Sequence, residues 1–264
     1  MKFLALLGAV ALNIIATIRS WFEELGRGLL MFQHALVWLV RPPYRYRVFI
    51  AQIDFIGVQS VELICVTGAF TGMVLALQAD AAMNRFGAQS LIGAAVALSL
   101  ARELGPVLAA LLVTGRAGSA ITAELGSMRS TDQIDALASM AVEPIQYLVA
   151  PRMVAAVLVM PMLTIIFEFT GMVGAYVVVT THLKMEGGVF MAGVKDYLDY
   201  GDLIHGLVKA GVFGLVFSLV SCMKGFFATG GSRGVGLATT RAVVVSSLLT
   251  LASDYAMTAI MLRL

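Results

Sequence analysis

The stretch RELGPVLAALLVTGRAGSAITAELGSMRSTDQIDALASMAVE, residues 102 to 143, decides how this chain is built. It starts inside an apolar run, Leu91 to Val113 (LIGAAVALSLARELGPVLAALLV), that is lipid-soluble except at Arg102 and Glu103. A run of that length, at about 1.5 Å per residue, crosses a hydrocarbon core about 30 Å thick. The stretch then turns polar and helix-forming in AELGSMRSTDQIDAL, about residues 123–137. There Glu124, Arg129, Asp132 and Asp135 suit a short helix lying outside the bilayer. One segment therefore offers a charged pair inside the membrane and a docking element beside it.

Working outward, composition sets the class. With 59% hydrophobic and 13% charged residues among 264, and a mean hydropathy of +0.91, there are too few polar groups to cover a soluble globule. The expectation is an all-α polytopic membrane protein. A net charge of +2, with Lys and Arg gathered at segment ends, excludes nucleic acid as a partner. Cys65 and Cys222 have no CxxC spacing, and His34, His182 and His205 have no ligand spacing, so neither a disulfide framework nor a metal site is expected. No Walker A motif is present, and Gly231–Gly236 (GSRGVG) joins two apolar helices without a preceding strand, which makes it a turn. Ser119 and Ser246 lack a His and Asp in view, so the chain does not read as an enzyme.

Residues 3–18 are apolar but short for a span, and Phe22, Leu25, Leu29, Phe32 and Leu36 form one helical stripe. Residues 1–47 thus read as interfacial helices and a basic corner, not as a removed signal peptide. Arg41, Arg45 and Arg47, with two prolines and two tyrosines, place that corner in the cytoplasm. Residues 48–264 then read as five spans: about Val48–Leu77, Leu91–Val113, Met153–Thr180, Leu203–Met223 and Ala242–Leu262. An external helix falls at about 186–200, and a glycine-rich cytoplasmic connection ends at Arg241. Recurrent Gly68/Gly72, Gly171/Gly174 and Gly211/Gly214 suit close packing and a self-association seam.

Charges remain inside the spans: Arg102, Glu103, Glu168, Lys209 and Asp254. Each costs at least about 2.5 to 3.5 kcal/mol at the centre of an isolated helix, so they face a cavity or one another. Neighbouring residues point about 100° apart, so Arg102 and Glu103 need separate partners. A structural network, for instance Lys209 with Glu168, is one reading. The other is that Arg102 holds a phosphate or carboxylate headgroup while apolar walls take acyl chains. Gly105 and Pro106, just beyond, give the second span a place to bend.

The quoted stretch, together with KGFFATGGSRGVGLATTRAVVVSSLLTLASDYAMTAIML near the C-terminus, resembles the MlaE family, permease subunits of MCE-associated ABC transporters that handle phospholipid between bacterial inner and outer membranes. The resemblance runs from about residue 48 to the end. It implies a multi-pass homodimer in the inner membrane that maintains outer-membrane lipid asymmetry. It also implies a cytoplasmic ABC ATPase that binds ATP and Mg, a small STAS-domain protein and a periplasmic ring of MCE subunits; no cofactor is expected in this chain. Residues 123–137 would be the coupling helix, contacting the ATPase through Glu124, Arg129, Asp132 and Asp135. Arg102, Glu103, Leu75, Leu77 and Leu104 would line the lipid cavity. Relatives that import sterols or fatty acids share the fold. A lipid-modifying enzyme would instead need a facing nucleophile and base, and a secondary transporter an inverted repeat.

Overall fold

Each long apolar run folds as helix in the computed structural model, which describes residues 19, 23, 24, 26–38 and 46–261. Five helices are long and apolar enough to cross a membrane: Tyr46–Phe86, Gln89–Ser130, Ile145–Thr181, Tyr200–Phe226 and Gly231–Met261, the first to fifth spans. No strand occurs among the described residues. A lone helix satisfies its own backbone in lipid, which is why so apolar a chain takes this form. Before the first span, residues 26–38 are helical, with Met31 and Ala35 buried and Leu29, Leu30 and Leu36 exposed. Just before that helix, Glu24 forms an ion pair with Lys224 at the C-terminal end of the fourth span. The Arg27 guanidinium also lies 5.5 Å over the Phe227 ring. The expectations for residues 3–18, Phe22, Leu25, Arg41 and Arg45 lie outside the described residues.

The third span is central, seated between the first and the fourth, and the fourth also carries the fifth and the second. Glycines make the first of these contacts possible. A Cβ on Gly72 would overlap the Gly171 carbonyl oxygen, and one on Gly174 the Ala69 carbonyl. Gly68 likewise faces the Phe167 carbonyl, 2.7 Å from where its Cβ would be. The seam expected for self-association is thus consumed inside one chain, where backbones approach as small-residue packing allows.

Several boundaries differ from those the hydropathy suggests. The second span does not stop at Val113; it stays helical to Ser130, 42 residues in all, or about 63 Å, twice the core thickness. Its last turns therefore extend beyond the membrane. The docking helix expected at 123–137 is two pieces, the end of this span and a short helix Gln133–Ser139. Asp132 separates them in the left-handed region at φ 56°, a conformation Asp tolerates better than most residues.

The fifth span starts at Gly231, not Ala242, because the glycine-rich segment is itself helical. Gly126 of the second span packs on Val235 there, and the Thr239 hydroxyl donates to the Val235 carbonyl at 2.9 Å. The helix expected at about 186–200 spans Gly187–Tyr197 and packs on the first turns of the second span with Phe190 buried. The fourth span consequently begins well down the second span, near the level of Arg102.

Candidate functional site

Pro106 sets the local geometry. It has no N–H, so the Arg102 carbonyl four residues earlier loses its helical partner. The second span answers with a π turn, Leu100–Leu104, in which the Gly105 N–H reaches back to the Leu100 carbonyl. The bend expected at Gly105–Pro106 takes this form. Lys209 of the fourth span fills the vacated place, donating from Nζ to the Arg102 carbonyl at 3.1 Å.

The same ammonium collects the remaining charges. It lies 2.7 Å from Glu103 Oε2 and 3.0 Å from Asp254 Oδ1, and donates to Thr258 Oγ1 at 2.7 Å. Its side chain is only 2% exposed, whereas Glu103 is 41% exposed. Asp254 and Thr258 stand one turn apart on the fifth span, and the Thr258 hydroxyl lies 2.9 Å from the Asp254 carbonyl oxygen. A buried lysine with two carboxylates, a carbonyl and a hydroxyl has every proton engaged.

Arg102 turns the other way. Its Nε donates to Asp202 Oδ1 at 2.6 Å. Asp202 also closes a capping box with Asp199, accepting the Asp199 N–H at 3.2 Å. One carboxylate thus fixes both the start of the fourth span and the arginine. The two terminal nitrogens of Arg102 have no partner among the described residues, and its side chain is 45% exposed. Their fork matches two oxygens of a phosphodiester or carboxylate.

The other expected residues fall around this network or away from it. The suggested Lys209–Glu168 pair does not form. Glu168, on the third span, is buried against Gly105, and its Oε1 has no hydrogen-bond partner among the described residues. Leu104 follows the charged pair and is half-buried; Leu75 packs on the core of the first span, and Leu77 faces outward. The principal neighbours of the π turn are the adjoining segments of its own span and the fourth and third spans, whereas Leu75 and Leu77 stand on the first.

At the opposite end, Glu124 pairs at 2.8 Å with Arg152, which is 4% exposed and also donates to the Leu148 carbonyl. Arg129 and Asp135 pair at 2.6 Å across the Asp132 turn, leaving Asp132 exposed.

Three residues escaped the sequence reading. Asp202 was hidden in a polar connection, although Asp199-x-x-Asp202 is a helix-start pattern. Thr258 lies four residues after Asp254 and so shares its face. Arg116, on the second span, is the third. It donates to the Phe55 carbonyl at 2.7 Å, to Ser60 Oγ at 2.8 Å and to Gln59 Oε1 at 2.7 Å. These groups surround the break of the first span at Gly57, where a 3-10 turn, Val58–Ser60, interrupts the helix. The glycine in an otherwise apolar run was the available signal.

Among known proteins, the sequence pattern of the family described as Permease MlaE matches residues 49–260. A Haemophilus influenzae protein, "Intermembrane phospholipid transport system permease protein MlaE", is 38% identical over 243 residues, covering 92% of this chain and 93% of that one. A Rickettsia bellii protein, "Probable ABC transporter permease protein", is 43% identical over 236 residues, 89% of this chain and 91% of its own. The Arabidopsis thaliana protein "TRIGALACTOSYLDIACYLGLYCEROL 1, chloroplastic" is 34% identical over 208 residues, 79% of this chain and 59% of its own.

Proposed function

The chain belongs to the Permease MlaE family, and from that premise we propose that it moves phospholipid between the inner and outer bacterial membranes as the permease subunit of an ABC transporter. The observation that carries the lipid reading is the half-exposed Arg102, with two guanidinium nitrogens unused among the described residues beside the Lys209 charge network. A lipid phosphate binds those nitrogens, and the acyl chains lie along the exposed apolar surface of the spans. Because Asp202 holds Nε, the fork is already aimed before lipid arrives, which lowers the ordering cost of binding.

The first and fifth spans bury the least surface of the five. A second copy of the chain covers part of that surface and closes a cavity over Arg102 and Glu103. Hydrolysis of ATP, with its Mg, takes place in a separate ABC ATPase that meets the end of the second span and the helix Gln133–Ser139. The Glu124–Arg152 pair carries movement of that end directly to the third span. A STAS-domain protein and a periplasmic MCE ring complete the assembly in the inner membrane, which keeps outer-membrane lipids asymmetric.

The test is lipid mass spectrometry on the chain purified with its co-expressed partners, comparing wild type with Arg102→Ala. Phospholipid retained by wild type and depleted about tenfold in the variant, as expected for losing a charge-assisted bidentate contact, supports the reading. Equal phospholipid in both proteins removes Arg102 from the headgroup site. Retention of sterol or fatty acid in place of phospholipid would assign a different cargo.

A further inference from the structure

A second site lies at the opposite end of the fourth span. Lys224 is fifteen residues beyond Lys209, about 22 Å along the helix. Here Glu24 and Arg27, the end of the fourth span and the start of the fifth line an open cavity of about 340 Å³. Three cations line it, Arg27, Lys224 and Arg241, against one carboxylate, Glu24. Glu24 is spent on Lys224. Arg27 donates its Nε to the Glu23 carbonyl at 3.3 Å and stacks on Phe227. Arg241 has neither a hydrogen bond nor an ion pair among the described residues. Among the described residues, the excess of positive charge therefore has no carboxylate to balance it.

The exposed side of the cavity wall is apolar. Phe227 is 40% exposed and Leu237 53%, and Leu29 and Leu30 on the neighbouring helix are also exposed. A free anion would satisfy the arginines and leave those side chains unused; a lipid satisfies both. We propose that this cavity binds the phosphate-bearing headgroup of an anionic phospholipid of the cytoplasmic leaflet, with its chains along Phe227 and Leu237. Basic pockets between helices on that side of a membrane suit such headgroups. Bound there, the lipid bridges Arg27 to Arg241 and fastens the N-terminal helix onto the fourth and fifth spans. The proposal stands independently of the Arg102 reading.

The experiment is native mass spectrometry of the purified full-length chain with its partners, incubated with phosphatidylglycerol or with zwitterionic phosphatidylcholine. It compares wild type, Arg241→Gln, Arg27→Gln and Arg241→Lys. Each protein is also measured in an Arg102→Ala background, so that lipid at the other site is counted separately. The expected result is selective retention of phosphatidylglycerol, weakened about fivefold by each glutamine substitution and kept by Arg241→Lys, since one cation near an anionic lipid contributes about a kcal/mol. Arg241 is exposed and makes no ion pair or hydrogen bond among the described residues, so Arg241→Gln keeps the fold and its lipid count is interpretable. Equal retention of the two lipids, or no change in either glutamine variant, overturns the proposal. So does displacement of phosphatidylglycerol by excess inorganic phosphate, which would assign the cavity to a free anion.

Discussion

Lys209 is the residue on which the intramembrane charges close. Without it, Glu103 and Asp254 would share the space around Thr258 with no countercharge, and the Arg102 carbonyl freed by Pro106 would be orphaned. Breaking a buried pair by removing one partner typically costs about 3–5 kcal/mol. Lys209→Met should therefore lower the thermal unfolding midpoint in detergent substantially, and adding Glu103→Gln and Asp254→Asn should recover part of the loss. A triple variant no more stable than Lys209→Met would show that charge is not what the lysine supplies. The charged residues themselves were legible in the sequence, because anything ionised in an apolar run stands out. Their pairing was not, since Arg102 and Asp202 are 100 positions apart and Lys209 and Glu103 are 106 apart. Nothing in local spacing chooses between Glu103 and Glu168 as the partner of Lys209. The choice is made by the π turn, which turns Glu103 toward the fourth span, and by Gly105, whose missing side chain leaves room for Glu168.

At the scale of elements, the contact between the first and third spans depends on residues with no side chain at all. Gly72 faces the Gly171 backbone so closely that any Cβ must push the helices apart. Gly72→Leu should cost at least about 3 kcal/mol and reduce the yield of folded protein, the range seen for severe overpacking. Gly201, in the first turn of the fourth span, has nothing within 4 Å of where its Cβ would be, so Gly201→Ala should be neutral or stabilising by up to about 1 kcal/mol. Equal effects of the two substitutions on the unfolding midpoint would remove close backbone approach as the explanation. The number and type of these helices were readable, because about 20 apolar residues admit no other form in lipid. Their ends were not. Hydropathy falls at Val113 and rises again at Ala242, but backbone hydrogen bonding follows helix propensity and packing, and both continue to Ser130 and back to Gly231. Asp132, at positive φ, marks a true stop of the second span.

For the whole molecule, the two charged regions stand at opposite ends of the same helices. The second span carries Arg102 in its upper half and Glu124 and Arg129 in its lower end, and the fourth carries Asp202 and Lys224 in the same order. In the proposed cycle the second span joins a lipid contact at Arg102 to an ATPase-docking end, which requires those ends to lie on opposite sides of the bilayer. The charge rule predicts the orientation: Arg129, Arg152, Lys224, Arg233 and Arg241 share the lower end, which it assigns to the cytoplasm. This can be checked with single cysteines. Cys65 is partly exposed and is replaced by serine first, while Cys222 is fully buried and does not compete. Thr131→Cys, in the exposed turn before the helix Gln133–Ser139, should react with a membrane-impermeant maleimide only after the inner membrane is opened. His182→Cys, at the exposed outer end of the third span, should react in intact spheroplasts. Reaction of both from the same side would place the Arg102 opening and the docking end on one face. The long second span would then connect nothing across the membrane, and coupling of ATP hydrolysis to lipid movement through it would have to be abandoned.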